Sequence, residues 1–441
     1  MVNTSSKEKC IVLNIMSLQR QRIAGRMILA ALLVNVISFS IFNELAIVSG
    51  LLYLGSVVCL WNRISARSLL FVKAMLLLAV PGIFLAVAVA DIDTLSQFLQ
   101  GNIVIITLLV SVGLSMQATN TVDHTDGKAK ASNGTSGFII TYAGVHFVGA
   151  IINYAAILFF GDNIKRRGKF TENHAILLAR SFAAAGFWSP LLITMAFALS
   201  YSPGANYSEI ALYGGLLALT SFIFSLIEFY VQPNKNQYQG IAVSFSEFRM
   251  PLIMASIILV LIAFFPNIKV LHLVICVSLL FFIYDARKSF VRSIKRNVEE
   301  QFPKYANEIA LFLSAGILNV SLMYLVNQFD SYFTGFVLTP SVSTIFLIVA
   351  ALLTCVGVHP LVSVTIFASV VQVSNVTFNL LAFVILTAWA IGSSLGPLSG
   401  QNLGIGSRYD ISSYRIMKNN IVHSIVLLCV ANLIIYVFWR S

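Results

Sequence analysis

Apolar residues occur along the chain in long runs that short polar connections separate. Most runs approach the roughly 20 residues that a helix needs to cross the hydrocarbon core of a bilayer. The pattern therefore predicts an all-α polytopic membrane protein. The apolar runs are residues 27–42, 44–61, 68–90, 102–118, 138–160, 174–200, 208–231, 251–266, 268–285, 307–325, 334–375, 376–401 and 419–438.

The composition of the chain supports the same class. Of the 441 residues, 58% are hydrophobic and 10% are charged, whereas ordinary soluble domains have about 45–50% and about 25%. These fractions exclude a soluble enzyme and predict a lipid bilayer as the environment. The formal net charge of +11 comes from Lys and Arg in short clusters between the runs, so we expect no nucleic-acid partner. The chain contains no Walker loop, zinc-ligand spacing or nucleotide fingerprint, and we expect no cofactor beyond a coupling Na⁺ or H⁺.

The distribution of basic residues predicts the topology. Cytoplasmic loops of membrane proteins carry an excess of Lys and Arg. The run 138–160 has only 23 residues and is followed by the basic cluster 165–169, so we expect it to return to its starting side as a re-entrant hairpin. The run 334–375 is either a second hairpin or two full spans. With the amino terminus inside, 24 of the 28 Lys and Arg residues fall on the cytoplasmic side, which predicts a protein of the cytoplasmic (inner) membrane.

Two short segments recur in the same order in the two halves of the chain. Residues 141–146 share Thr, Gly, Val and His with residues 354–359 at an offset of 213, so His146 corresponds to His359. The Gly- and Pro-containing segment around Pro190 recurs around Pro397 at an offset of 207. Under the charge-derived topology the two His-bearing hairpins enter from opposite sides, which predicts inverted repeats.

Inverted repeats with broken helices are typical of secondary transporters, whose substrate site lies near the bilayer midplane between the repeats. Backbone N–H and C=O groups must be paired in hydrocarbon, so non-helical chain at that depth survives only inside protein or beside a polar cavity. Gly, Ser and Pro at 186–190 and 392–399 therefore predict two interrupted helices. Together with the two hairpin tips, they predict one occluded polar pocket.

The arrangement resembles the ion transporter superfamily, and within it the divalent-anion/sodium symporters. Residues 307–316 resemble the helix that opens the second repeat of that family, and residues 352–361 occupy the place of its hairpin tip. Residues 391–402, Ile-Gly-Ser-Ser-Leu-Gly-Pro-Leu-Ser-Gly-Gln-Asn, resemble its Pro- and Asn-containing loop. The region 137–204 is similar in outline.

The hairpin tips depart from that family, which carries Ser-Asn-Thr at both tips, whereas this chain has Gly-Val-His in both places. The nearby Ser374-Asn375-Val-Thr377 contains an inserted residue. The resemblance therefore implies an architecture and not a sodium or dicarboxylate specificity: a scaffold, a mobile transport unit, elevator-like alternating access and a homodimer.

Candidate ligand-binding residues are the polar, Gly and Pro positions at these interruptions and hairpins. For His146 and His359, hydrogen bonding to an anion, proton coupling and a purely structural role all remain open. Arg180 lies within a span, where a charge costs at least about 2.5–3.5 kcal/mol, so it is either a counter-charge for an anion, one half of an internal salt bridge, or a side chain that snorkels. The full candidate set is His146, Asn153, Arg180, Gly186, Ser189, Pro190, His359, Pro360, Ser393, Ser394, Pro397, Ser399, Gln401 and Asn402.

The predicted function is secondary active transport of a small anionic solute, coupled to H⁺ or Na⁺, and the chain is not expected to be an enzyme. The alternative is a flippase or an intramembrane enzyme that acts on lipid-linked polyprenyl-phosphate substrates. The predicted division is a cytoplasmic tail at 1–26, scaffold helices at 27–100, a first inverted repeat at 101–231, connecting helices with a basic cytoplasmic loop at 232–306, and a second inverted repeat at 307–441.

Overall fold

Helices make up the regular structure of the described residues, in which one isolated bridge pairs Asn133 with Gln239. The computed structural model describes residues 4–39, 44–89, 91–118, 132–233, 235–241, 249–329, 337–371 and 377–439. The Ser374-Asn375 motif, the predicted loop cations Lys128 and Lys130, and the last residues of the run 334–375 lie outside this part of the chain.

Nineteen α-helices occur in the described residues. They are α1 Thr4–Ser38, α2 Leu45–Leu60, α3 Ala66–Ala88, α4 Ile92–Gln100, α5 Ile103–Ala118, α6 Gly134–Ile152, α7 Ala155–Arg167, α8 Glu172–Ala185, α9 Ile193–Ser200, α10 Tyr207–Val231, α11 Arg249–Phe264, α12 Val270–Ala286, α13 Phe290–Arg296, α14 Ala306–Gln328, α15 Pro340–Cys355, α16 Pro360–Val371, α17 Phe378–Leu395, α18 Gly400–Tyr409 and α19 Ser413–Phe438.

The lengths and compositions of these helices confirm an all-α polytopic membrane protein. Within the described ranges, nine helical segments are long and apolar enough to cross a bilayer, and four further apolar helices are shorter. Large apolar side chains lie on the surface of the spans, such as Leu77 and Phe84 of α3, both 72% exposed. Such surfaces are stable against lipid tails, where an exposed apolar side chain carries no hydration cost.

The chain divides into two compact units, and each is discontinuous in sequence. The first unit contains Met1–Ala118 and Ile275–Leu325, and the second contains Thr119–Val274 and Val326–Ser441. In the first unit, a Cβ built on Gly101 would lie 2.7 Å from the backbone carbon of Gly316. The Asn102 amide donates to the Phe312 carbonyl over 3.0 Å. Two glycines therefore let the start of α5 approach the backbone of α14.

The second unit contains a helical hairpin formed by α6 and α7. Cβ atoms built on Gly149 and Gly144 would contact Ala156 and Phe160, respectively, so the two helices run antiparallel. The chain reverses at Asn153, whose positive φ of 61° is uncommon for a residue other than Gly. The expected hairpin is present, but its turn lies at 153–154 and not at Gly144–His146.

A second hairpin in this unit is formed by α15 and α16. The rings of Phe346 and Phe367 stack with centroids 3.7 Å apart, one on each arm. The turn contains Gly357 with φ +98°, and the amides of Gly357 and Val358 donate to the carbonyls of Thr354 and Leu353. This hydrogen-bond pair is the Schellman motif, which requires a residue in the left-handed conformation after the helix.

The helix α17 is the centre of the second unit, because 15 of its 18 residues are buried. Its side chains are almost all apolar and it contains no ionisable residue. Both hairpins and both broken helices belong to the unit that surrounds this helix.

Candidate functional site

The first helix break separates α8 from α9 at residues 186–192. Side chains satisfy the backbone carbonyls around the break. The Ser189 hydroxyl donates to the Ala150 carbonyl on the first hairpin over 2.5 Å, the Thr194 hydroxyl donates to the Gly186 carbonyl over 2.9 Å, and the Tyr207 hydroxyl donates to the Trp188 carbonyl over 3.0 Å. Pro190 is buried within the break. The interruption is therefore stabilised by specific side-chain hydrogen bonds, and it lies at the position that the sequence predicts.

The second break separates α17 from α18 at residues 396–399. The Asn402 side-chain amide donates to the carbonyls of Ser394 and Gly396 over 2.8 and 2.9 Å. The Ser399 hydroxyl donates to the Ser393 carbonyl over 2.8 Å and accepts the Asn402 amide at the start of α18. One Asn and one Ser therefore satisfy three of the carbonyls around this break.

The second hairpin tip packs against the second break. Cβ atoms built on Gly392 and Gly396 would lie 2.7 Å from Pro360 Cγ and from Thr354 Cγ2, respectively. A Cβ on Gly357 would lie 2.7 Å from Leu398 Cδ1. The structure thus brings together Pro360, the turn at 356–359 and the segment around Pro397, as the sequence argument expects.

Two buried side-chain oxygens at the second break have no hydrogen-bond partner among the described residues. These atoms are Gln401 Oε1 and Asn402 Oδ1, although the amide nitrogens of both side chains are bonded. The Gln401 amide donates to the Ala179 carbonyl of α8 over 2.7 Å. Buried polar atoms in native structures are nearly always paired, so these two acceptors are candidates for contact with a ligand.

His146 lies within α6, seven residues before Asn153 at the hairpin turn, and both of its ring nitrogens have partners. Nδ1 lies 3.1 Å from the Ser181 carbonyl, and Nε2 lies 3.0 Å from the Trp188 indole nitrogen. A carbonyl only accepts and an indole N–H only donates, so the ring is the neutral tautomer with its proton on Nδ1. The prediction that His146 lies at a hairpin tip is wrong, because the residue lies within α6. Gly144 allows close packing against Phe160 and does not form a turn.

His359 does lie at its hairpin tip, directly before α16. Its Nδ1 accepts the backbone amide of Leu361 over 3.1 Å, and its ring centroid lies 6.4 Å from that of Trp389 on α17. The two histidines that the repeat pairs therefore occupy different structural positions. Asn153 is the residue that turns the first hairpin, where its side-chain oxygen accepts the Tyr154 amide over 2.7 Å.

Arg180 of α8 is buried, with 4% of its side chain exposed, and forms an ion pair with Glu228 of α10. Its Nε donates to Asn420 Oδ1 over 2.8 Å, and its Nη2 donates to the Asn419 carbonyl over 2.8 Å. The Asn420 amide in turn donates to the Ser394 carbonyl over 2.8 Å. The internal salt bridge that the sequence analysis left open is therefore present, and it extends to the second break.

Three residues that the sequence analysis did not select form a buried chain next to this ion pair. The Ser221 hydroxyl lies 2.9 Å from the Tyr142 hydroxyl and 2.9 Å from His423 Nε2. Glu228 and Asn420 were missed as well. One signal for this group was available, because a carboxylate near the end of an apolar run is expected to pair with an intramembrane cation.

Two open clefts lie away from the breaks. One, of about 450 Å³, is lined by Phe159, Asp162, Lys165 and Arg166, and the other, of about 390 Å³, adjoins the connection between α18 and α19.

Asp162 lies on α7, outside the candidate spans, and accepts hydrogen bonds from Arg408 over 2.8 and 2.5 Å and from the Tyr409 hydroxyl over 3.1 Å. The Arg408 guanidinium holds the pKa of this carboxyl below its usual value. The pair joins the second arm of the first hairpin to the helix that follows the second break.

No known protein family and no curated protein matches this chain. Among solved structures, the chain is similar to the crystal structure of the Alcanivorax borkumensis YdaH transporter, which is described as having an unusual topology. The sequence identity is 14%, the TM-score is 0.49, and the match covers 85% of this chain and 98% of that one. The assignment of a function therefore rests on the residues of this chain.

Proposed function

We propose that the protein is a secondary active transporter that moves a small anionic solute across the cytoplasmic membrane. The proposal includes an elevator-like alternating-access mechanism, coupling to H⁺ or Na⁺, and a homodimer. Its amino terminus lies in the cytoplasm, and its two hairpin-and-break repeats are inverted with respect to each other.

The observation that carries the proposal is the order of elements in the second unit. A hairpin followed by an interrupted helix occurs twice, as α6–α9 and as α15–α18. A membrane protein breaks a helix at depth only where other groups take up the freed backbone, and transporters use such breaks to form a central site. A membrane protein without a central binding site would gain no stability from two such interruptions.

The chemistry of the second break supports an ionic ligand. Gln401 Oε1 and Asn402 Oδ1 are buried and unpaired within the described chain, and carboxamide oxygens are suitable ligands for hard cations. The helices α9 and α18 both begin at a break, and the amino-terminal end of a helix favours an anion. The two kinds of group together suit an anion that binds with a coupling cation.

The experiment that tests the proposal is uptake into sealed liposomes that contain the purified protein. The probes are radiolabelled sulfate, phosphate, succinate and benzoate, with and without imposed H⁺ and Na⁺ gradients. We expect gradient-dependent uptake of at least one probe, and we expect Asn402→Ala to abolish it, whereas Ser407→Ala on the exposed face of the same helix leaves it intact. Movement of a lipid-linked sugar without uptake of any of these anions would contradict the proposal and favour a flippase.

A further inference from the structure

The ion pair between Arg180 and Glu228 connects a partly exposed carboxylate near the end of α10 to the buried second break. The Glu228 side chain is 35% exposed, while that of Arg180 is 4% exposed. The connection continues from Arg180 Nε to Asn420 Oδ1, and from the Asn420 amide to the Ser394 carbonyl. The two hydrogen bonds of Asn420 are each 2.8 Å long, and Asn420 is fully buried.

We propose that Glu228 is a proton-binding site whose protonation state is transmitted to the second helix break through Arg180 and Asn420. The proposal deepens the proposed transport function and rests on it, because it identifies a residue that couples proton binding to the site.

The proton step is a simple association. The Glu228 carboxylate takes one proton from water and becomes a neutral carboxylic acid, and no other bond is broken. The acid no longer balances the charge of Arg180, which stays buried. An unpaired charge in a buried position is strongly unfavourable, so Arg180 must take another anionic partner or shift from its place.

This requirement links proton binding to anion binding. When Glu228 is ionised, its carboxylate pairs with the Arg180 guanidinium. When Glu228 is neutral, an anionic solute takes the place of the carboxylate. The proton and one negative charge then enter together, so the net charge of the buried cluster does not change. By linkage, each of the two ligands raises the affinity for the other.

Several titratable and charged groups lie around the Arg180–Glu228 ion pair. Tyr142 of α6 and His423 of α19 flank Ser221; Lys235, after α10, donates to the Tyr230 carbonyl. Glu172 is one step further away, bonded to the Asn419 amide over 2.7 Å and paired with Arg415; α17 contributes no ionisable group.

His423 is not a suitable proton acceptor in this cluster. Its side chain is buried, with 1% exposed, and it lies close enough to Arg180 to interact electrostatically with that charge. A second buried cation beside the first would have no counter-charge. Glu228 differs on both counts, since its side chain is 35% exposed and its ionised form is the one that pairs with Arg180.

The first test measures protonation directly, without any solute. Infrared difference spectra of the full-length protein in liposomes are recorded as the pH is lowered stepwise from neutral. We expect a carbonyl band of a protonated carboxyl that is lost in Glu228→Gln. The matched control is Glu209→Gln at the other end of α10, where the carboxylate accepts from Asn379, and the band must persist in this variant. A band that survives in Glu228→Gln overturns the proposal.

The second test measures transmission to the break. The reporter is Ser393→Cys in a background in which the five native cysteines are replaced by serine, labelled with a maleimide at one fixed pH. We expect Glu228→Gln and Asn420→Ala each to speed labelling about fivefold, the change in population that follows loss of one hydrogen bond of ordinary net strength. Asn432→Ala on the same helix serves as the control and must leave the rate unchanged.

Equal labelling rates in all variants overturn the transmission step, even if the infrared band behaves as expected. Neither measurement requires transport. If both tests fail while anion uptake is intact, only the proton site is overturned. If both tests succeed but no anion is taken up, only the transport function is contradicted.

Discussion

The Trp188 indole donates a hydrogen bond to His146 Nε2 over 3.0 Å. Because His146 Nδ1 donates to the Ser181 carbonyl, the imidazole joins the first hairpin, α8 and the first helix break. The histidine that the sequence repeat singles out is thus held in one neutral tautomer by the helices around it.

This relationship predicts the effect of Trp188→Phe on stability. The substitution leaves His146 Nε2 buried without a donor, which costs about 1–3 kcal/mol. The measurement is the midpoint of thermal unfolding in detergent, compared with that of Trp61→Phe, where the side chain is 43% exposed. Equal midpoints for the two variants would show that the indole hydrogen bond contributes nothing.

The turn of the second hairpin predicts a contrast between two glycines. Gly357→Ala places a side chain at φ +98° and against Leu398, so we expect a loss of about 1–3 kcal/mol. Gly215 lies inside α10 with open space around its Cβ position, and Gly215→Ala is expected to gain up to about 1 kcal/mol. The unfolding midpoints of the two variants check this, and a stable Gly357→Ala would argue against the Schellman turn.

The hydrogen bonds at the second break predict that Asn402 stabilises the fold. Asn402→Ala leaves the Ser394 carbonyl with one partner and the Gly396 carbonyl without its side-chain donor. We expect a loss of about 1–3 kcal/mol for a buried acceptor left unsatisfied, measured by unfolding in the absence of added solute. A midpoint equal to that of the wild type would contradict the structural role of this side chain.

The Asp162–Arg408 pair predicts a pH dependence. The folded pKa of Asp162 is lowered by Arg408 from its usual value of 3.8, so its contribution is fully present above that value and is lost as the pH falls through the folded pKa. The pair is partly exposed, so Asp162→Asn is expected to cost only about 0–1 kcal/mol at pH 7. The difference in unfolding midpoint from wild type should vanish in strong acid, and a difference that grows there would contradict the assignment.

The sequence predicts elements better than it predicts their internal register. The helix breaks at 186–192 and 396–399 follow from Gly, Ser and Pro inside apolar runs, because these residues interrupt a helix within the membrane. The hairpin turn at Asn153 is different. The offset of 213 pairs His146 with His359, but the turn residues Asn153 and Gly357 are 204 apart, close to the offset of 207 between the breaks.

The polar contacts of the site could be predicted only in part. Arg180 was visible as an unusual intramembrane charge, and a salt bridge was one of its expected roles. Its partners Glu228 and Asn420 lie 48 and 240 residues away in sequence. Sequence periodicity carries no information about which helices pack together at such separations. The series of hydrogen bonds from Arg180 to Ser394 could therefore be identified only from the three-dimensional structure.

The most direct test of the account is access to the two breaks from each side of the membrane. Ser189→Cys and Ser393→Cys, each in the background without native cysteines, are labelled in sealed, oriented vesicles with a membrane-impermeant reagent applied outside or inside. An alternating-access transporter predicts that each position reacts from both sides, and that a transported anion changes the ratio of the two rates. Reaction from one side only, or from neither side, at both positions would contradict the account.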